Sequence, residues 1–346
     1  MHFDARAQPH LHCSFGGATV RPVHRTDNVV GLLEKWFCPR ERRRRTERAA
    51  KVACAKGFNV FDNVDALDVA VGKIRSLTGN ESETSNTSDI LTDPFAEDLI
   101  SGEGIDSGVL SASSDRKVKL STRYVDEGLL RGLQSMTFIK QVVLFGCSLD
   151  TRPYRLSIPN GTILFDVSPE SVQEHKHSRL KDKKVERGSL HVQIPVPAEH
   201  RMEDIEKLLV RRGFQGSKPS LWALQDVGDY CKSIHQFEEV VVYLSKWMAV
   251  DSILVGSASN LDSLQIKETL ASCMLQGDCF PLKEYAKSID QASTEDGKLQ
   301  EKDNLDGYTV FYATQTSRSL AESEIYHTWT QMAEDVEDEE YFDNFM

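Results

Sequence analysis

The chain has 346 residues, a formal net charge of -12 and ordinary proportions of apolar and charged side chains. That length can bury a core of enzyme size, and no apolar run approaches the roughly eighteen residues that a membrane span requires. An acidic balance also disfavours general binding to nucleic acid. We therefore expect neither a membrane nor a nucleic acid as partner.

The seven cysteines form an odd set without C-x-x-C spacing. This pattern predicts reduced thiols, with no disulfide framework and no metal site, and it is typical of an intracellular protein. Residues 1–26 contain three arginines and one acid, which resembles an organelle transit peptide. We therefore expect a cytoplasmic or plastid location.

In chain order, residues 1–26 lack apolar periodicity, so we interpret them as a disordered or targeting segment. Residues 27–87 are interpreted as a helical basic extension that ends in a polar linker. The main domain is placed at residues 88–320. Residues 321–346 contain nine acids and no Lys or Arg, which indicates an acidic tail.

Within the main domain, two helices precede the first strand, one starting near Asp93 and one over residues 121–133. The predicted strands are short apolar runs at 141–145, 162–165, 220–224, 252–255 and 308–312. The predicted helices between them lie at 171–182, 202–212, 233–249 and 262–276. This alternation predicts an α/β fold with a mainly parallel sheet and helices on both faces.

Ligands of such sheets bind beyond the carboxyl ends of the strands. Gly146 ends the first strand and Asp166 ends the second, at the spacing of a nucleotide-binding loop and its ribose-binding acid. An equally good explanation is a glycine that closes a buried strand and an acid that caps the next helix. The loop lacks both G-x-G-x-x-G and a P-loop, and Pro153 disfavours helix before it. A cofactor without phosphates, S-adenosylmethionine, suits this loop better than NAD(P), which an oxidoreductase would need.

The sequence resembles the leucine carboxyl methyltransferase-like family, and its plant branch in particular. The matching motifs are D-P-F-A at 93–96, S-T-R-Y-V-D at 121–126, the loop and D-T-R-P-Y-R-L at 145–156, and K-P-S-L-W at 218–222. The resemblance spans roughly residues 88–315. It implies a class I methyltransferase (Rossmann-like) fold and an S-adenosylmethionine-dependent methyltransferase.

The resemblance also implies roles for residues at the matching positions. The cofactor-binding residues implied are Arg123, Gly146, Cys147, Ser148, Asp166, Ser168 and Gln225. Among these, Arg123 would hold the cofactor carboxylate, with a surface ion pair to Asp126 as the alternative. Asp166 and Ser168 stand where the family holds the ribose. Asp150 and Arg152 are expected to brace the loop.

Four positions depart from the family pattern. Ser121 replaces an arginine, Ser148 and Asp226 replace glycines, and Ser168 replaces an aspartate. These departures favour an alternative function, a non-catalytic binding or regulatory protein that keeps the methyltransferase fold with a weakened cofactor site.

Methyl transfer from a sulfonium requires mainly alignment and exclusion of water, so no catalytic residue is named. The family suggests O-methylation of a carboxylate or hydroxyl acceptor, which would be a small molecule or a protein carboxylate. The acceptor itself is not readable from the sequence.

Overall fold

A computed structural model of the chain describes residues 60–61, 66–77, 91–100, 112–183, 189–293 and 305–316. The predicted targeting segment 1–26, the basic helix, the polar linker and the acidic tail 321–346 lie outside these ranges. The boundary proposed at residue 88 therefore stays a prediction.

The described part of the chain contains one seven-stranded sheet. Its strands are β1 (Gln141–Phe145), β2 (Ile163–Pro169), β3 (Leu190–Val196), β4 (Leu221–Leu224), β5 (Ile253–Ser259), β6 (Leu275–Pro281) and β7 (Tyr308–Gln315). The strand order is β3-β2-β1-β4-β5-β7-β6. Strands β1 to β5 run parallel, and β7 is antiparallel to both of its neighbours. The predicted mainly parallel sheet is confirmed.

The helices of the described part lie on both faces of this sheet. They are α1 (Ala66–Arg75), α2 (Ala96–Ile100), α3 (Ala112–Ser135), α4 (Arg152–Arg155), α5 (Glu170–Leu180), α6 (Met202–Arg211), α7 (Ile234–Trp247), α8 (Ser263–Ser272) and α9 (Leu282–Ser293). A short 3-10 turn at Val227–Asp229 follows β4. None of these helices is both long and apolar enough to span a membrane.

The central strands are buried along their whole length, because each packs against helices on both sides. All five residues of β1 and all four of β4 are buried, which explains why they are continuous apolar runs. One face packs on α6, α7 and α8, with Trp222 and Phe237 fully buried there. The other face packs on α3 and α9. This rigid centre fixes the loops at the carboxyl ends of β1 and β4.

Two strands were not predicted. β3 has the sequence L-H-V-Q-I-P-V, whose alternation of apolar and polar residues is typical of a strand with one exposed face. β6 contains a glycine and a proline, and the helix predicted over 262–276 overran its start, whereas α8 ends at Ser272. Helix α1, which falls in the predicted extension, packs with α2 and α5 in a third apolar cluster.

Candidate cofactor site

The loop after β1 leaves the sheet at Gly146, between the carboxyl ends of β2 and β4. Gly146 has φ +65, in the left-handed region that favours glycine. Its amide donates a hydrogen bond of 2.8 Å to the carbonyl of Val167 on β2. An added Cβ would lie 3.0 Å from the rings of Phe61 and Tyr230. The backbone here can therefore be approached closely only because residue 146 is glycine.

Two neighbouring positions have positive φ without being glycine. Ser148 has φ 60, and Asp226, which follows β4, has φ 52. These are two of the positions at which the resembled family has glycine. The backbone thus keeps a glycine-type conformation at both positions, although a residue with a Cβ adopts it at a cost of roughly 1–2 kcal/mol.

Arg152 holds the loop in place from a fully buried position. Its guanidinium donates hydrogen bonds of 2.6 Å to both Asp126 of α3 and Asp150 of the loop, and a further one to Gln225 after β4. Burial alone would lower the pKa of Arg152, but the two carboxylates outweigh it and raise that pKa. The expectation that Asp150 and Arg152 brace the loop agrees with this geometry.

A second arginine extends the same network. Arg155 pairs with both carboxylate oxygens of Asp126 and donates a 3.0 Å bond to the hydroxyl of Thr151. That hydroxyl donates in turn to Asp93, and Asp93 accepts the amide of Phe95 at 2.9 Å. The D-P-F-A and D-T-R-P-Y-R motifs are therefore in direct contact.

Cys147, Ser148 and Gln225 are brought together around one small cavity. Gln225 donates to the hydroxyl of Thr122 at 2.7 Å while its carbonyl oxygen accepts from Arg152, so both ends of its amide are engaged. The thiol of Cys147 donates to the carbonyl of Ala223 at 3.3 Å. Burial raises the pKa of this thiol to about 12, so it is a neutral wall of the cavity.

Asp166 and Ser168 lie next to this region on β2 but do not line the cavity. The Asp166 carboxylate, 1% exposed, is paired with Lys176 of α5 and contacts His191 of β3 at 3.1 Å. Burial raises the pKa of Asp166, but the charge of Lys176 and the His191 contact outweigh it and bring that pKa to about 2. The hydroxyl of Ser168 accepts from Gln173 at 2.7 Å. Asp166 caps no helix, since Pro169 precedes α5.

Arg123 is not brought to the cavity. Its guanidinium forms an ion pair of 2.8 Å with Glu127, one turn along α3, and hydrogen bonding to Glu127 raises its pKa. The alternative of a surface ion pair thus describes its surroundings, with Glu127 rather than Asp126 as partner. Val118 and Thr122 are the α3 residues that line the cavity. Their spacing of four residues was the signal that could have found them.

Lys73, which the sequence analysis did not single out, also lines the cavity. The walls of the cavity come from α1, the start of the D-P-F-A motif, α3, the loop and Gln225. Lys73 of α1 lies on this wall and forms an ion pair of 3.1 Å with Asp226. The cavity volume is about 30 Å³, which is room for roughly one or two water molecules. No group of three or more potential metal ligands occurs among the described residues.

The strand order and the Gly146 loop at the carboxyl end of β1 together define a class I methyltransferase fold. Residues 73–233 match the model of the family described as leucine carboxyl methyltransferase. That segment resembles this family, as predicted, and the match and the named relatives together support an S-adenosylmethionine-dependent methyltransferase.

Individual relatives agree with this class. O-methyltransferase 1, chloroplastic, of rice (Oryza sativa subsp. japonica) is 26% identical over 292 residues, which cover 79% of this chain and 78% of that protein. A Mycobacterium tuberculosis protein assigned to the S-adenosyl-L-methionine-dependent methyltransferases is 24% identical over 191 residues, covering 49% of this chain and 58% of that protein.

Among solved structures, the chain also matches geranyl diphosphate C-methyltransferase from Streptomyces coelicolor A3(2). It is 10% identical, with a TM-score of 0.40, and the match covers 73% of this chain and 97% of that one.

Proposed function

We propose that this protein transfers the methyl group of S-adenosylmethionine to an oxygen atom of a carboxylate or hydroxyl acceptor. The main observation behind the proposal is the position of the loop Gly146–Arg152. The loop follows β1, which lies between β2 and β4 at the point where the strand order of the sheet reverses. Open α/β sheets bind their ligands at such a point.

The residues around the loop fit this cofactor in their chemistry. Gly146 offers backbone without a Cβ, and Thr122 and Ser148 offer hydroxyl groups that can pair with the cofactor's polar groups. Gln225 already bonds to Thr122 and Arg152, so only the second N–H and the second lone pair of its amide are left for a ligand. Cys147 contributes a neutral, polarizable wall, because its thiol stays protonated at pH 7. The remaining residues carried over from the family, Arg123, Asp166 and Ser168, stay part of the proposal.

The bound cofactor supplies a methyl group that its sulfonium has already made electrophilic. The chain's own task is then to hold the acceptor oxygen in line with the methyl-sulfur bond and to exclude water. The Arg152 network serves this task, since it ties the loop to α3 and β4 with charge-assisted hydrogen bonds. The leaving group is a neutral thioether, so no general acid is needed; a carboxylate acceptor has no proton to lose at neutral pH, whereas a hydroxyl acceptor must release its proton to water.

An oxygen acceptor is supported by two names. The matched family is described as a carboxyl methyltransferase, and the rice relative is named an O-methyltransferase. We propose that the acceptor is a small molecule or a protein carboxylate.

The test uses the full-length protein, S-adenosylmethionine with a labelled methyl group, and panels of carboxylic acids, phenols and protein extracts. Methyl esters release methanol in alkali whereas methyl ethers do not, so alkaline treatment of the product separates the two acceptor classes. Binding of S-adenosylhomocysteine without transfer to any acceptor would support the non-catalytic alternative. Absence of both binding and transfer would refute the proposal.

A matched pair of variants links the result to the loop. In Gly146→Ala the new Cβ meets Phe61 and Tyr230 at 3.0 Å, whereas in Gly161→Ala, where φ is +79, it meets nothing within 4 Å. Both variants carry the strain of positive φ. We expect only Gly146→Ala to lose S-adenosylhomocysteine binding, by at least tenfold, in calorimetry.

We also propose a plastid location. The rice relative is named as chloroplastic, and the arginines of residues 1–26 suit a transit peptide. A fluorescent fusion of the full chain should enter plastids, and a fusion that starts at residue 27 should not. Equal cytoplasmic distribution of both fusions would contradict this proposal.

A further inference from the structure

Two pieces of chain near the amino terminus cover the Gly146 loop. We call residues 60–61 and 66–77 the cover segment. Phe61 lies over Gly146 with its ring 5.4 Å from that of Phe145 and 5.9 Å from that of Tyr230. Phe61 is 8% exposed and Val60 is 1% exposed. The cover segment is therefore packed on the carboxyl edge of the sheet.

The helical part of the cover segment closes the side of the cavity. Ala70, Lys73, Ile74 and Leu77 all line it. The cavity volume of about 30 Å³ is small beside the 300 Å³ or more of a pocket for a drug-sized ligand. In this conformation the cover segment therefore restricts the room beside the loop, and outward movement of the cover segment would enlarge it.

An ion pair between Lys73 and Asp226 is among the contacts that join the cover segment to the sheet. The Lys73 ammonium lies 3.1 Å from the Asp226 carboxylate, with side chains 19% and 4% exposed. Asp226 is itself held rigidly, because its amide donates to the Ser257 hydroxyl at 2.8 Å and that hydroxyl donates back to its carboxylate at 3.0 Å. The fixed carboxylate on β4's loop thus retains a lysine on α1.

Asp226 occurs where the resembled family has glycine, a residue that could not form this pair. We propose that the Lys73–Asp226 pair is a latch that holds the cover segment closed over the cofactor loop and sets the rate at which the cofactor enters. This inference rests on the proposed function, since it assumes that the ligand of the loop is S-adenosylmethionine.

The latch has a definite thermodynamic consequence. When only the open state binds ligand, the apparent dissociation constant equals the intrinsic one divided by the open fraction. Loss of the ion pair raises the open fraction, so binding becomes both faster and tighter. If Lys73 instead contacted the ligand directly, its removal would weaken binding.

The test measures association of S-adenosylhomocysteine with the full-length protein by stopped flow, and hydrogen exchange of α1 amides without ligand. The variants are Asp226→Asn, which keeps the shape and tolerates positive φ, Lys73→Met, and the double variant. Lys183→Met removes an exposed ion pair of 2.7 Å with Asp98 and is the control.

We expect both single variants to speed association about tenfold, the change that 1.4 kcal/mol produces. The double variant should add nothing, and exchange of α1 amides should accelerate while α7 amides stay unchanged. The control should resemble the parent protein. Unchanged association and exchange in both single variants would overturn the latch, and so would weaker binding by Lys73→Met alone.

Failure of the proposed function gives a different pattern. If no variant binds S-adenosylhomocysteine while α1 exchange still accelerates in Asp226→Asn and Lys73→Met, the latch is present and the ligand assignment is wrong.

Discussion

Replacing Asp166 tests whether this carboxylate is primarily a structural group. The spacing between Gly146 and Asp166 indicated that Asp166 binds the ribose of a cofactor. In that role, replacing Asp166 would weaken cofactor binding and leave the stability of the unliganded protein unchanged. The structure instead pairs it with Lys176, which is 0% exposed. Asp166→Asn leaves that lysine charge buried without its counter-ion.

The magnitude follows from the burial of the pair. Removing one partner of a buried ion pair typically destabilises a protein by about 3–5 kcal/mol. At about 2 °C per kcal/mol for a large domain, the melting temperature of Asp166→Asn should fall by about 6–10 °C. The matched control is Asp98→Asn, whose partner Lys183 is 39% exposed, and it should lose less than about 1 kcal/mol.

Urea unfolding and thermal melting without ligand measure both variants. The double variant Asp166→Leu with Lys176→Met replaces the pair by apolar side chains and should recover most of the loss, as other buried pairs do. A melting temperature for Asp166→Asn equal to that of the parent would refute the reasoning and restore the view of Asp166 as a purely ligand-binding group.

Three further predictions concern acid, strain and reactivity. Asp166 has a pKa of about 2 when folded and about 3.9 when unfolded. Its contribution to stability, roughly 2.6 kcal/mol, is therefore complete above about pH 5 and is lost as the pH falls through 4 towards 2; acid titration of Asp166→Asn should lack this step. Ser148→Gly should raise the free energy of unfolding by about 1 kcal/mol in urea, since φ is 60; no gain would contradict the strain. The buried Cys147 thiol, with a pKa of about 12, should resist iodoacetamide at pH 8 in peptide mapping until the protein is unfolded.

The sheet was largely predictable because its central strands are buried on both faces. β1 and β4 read as short apolar runs, since every side chain must be apolar there. β6 could not be predicted in this way, because most of its residues are partly or fully exposed and do not form an apolar run. It is held in the sheet by antiparallel pairing with β7. Strand β3 carried a readable alternation that was overlooked.

The position of the Gly146 loop at the end of β1 was predictable from the sequence, but the contacts around the loop were not. Gly146 and its loop follow from local chemistry, whereas the pairing of Lys73 with Asp226 joins residues far apart in sequence. The partner of Asp166 did leave a local signal. Val172, Lys176 and Leu180 are spaced by four on α5, so the lysine interrupts an apolar stripe, and a lysine in that place requires a buried acid.

Ser148 and Asp226 show that a left-handed backbone conformation can occur without the glycine that usually adopts it. Both adopt φ angles near 55° at places where the resembled family has glycine. A sequence signature that requires glycine at both positions would therefore not match this chain, although the backbone has the conformation that the signature is meant to detect.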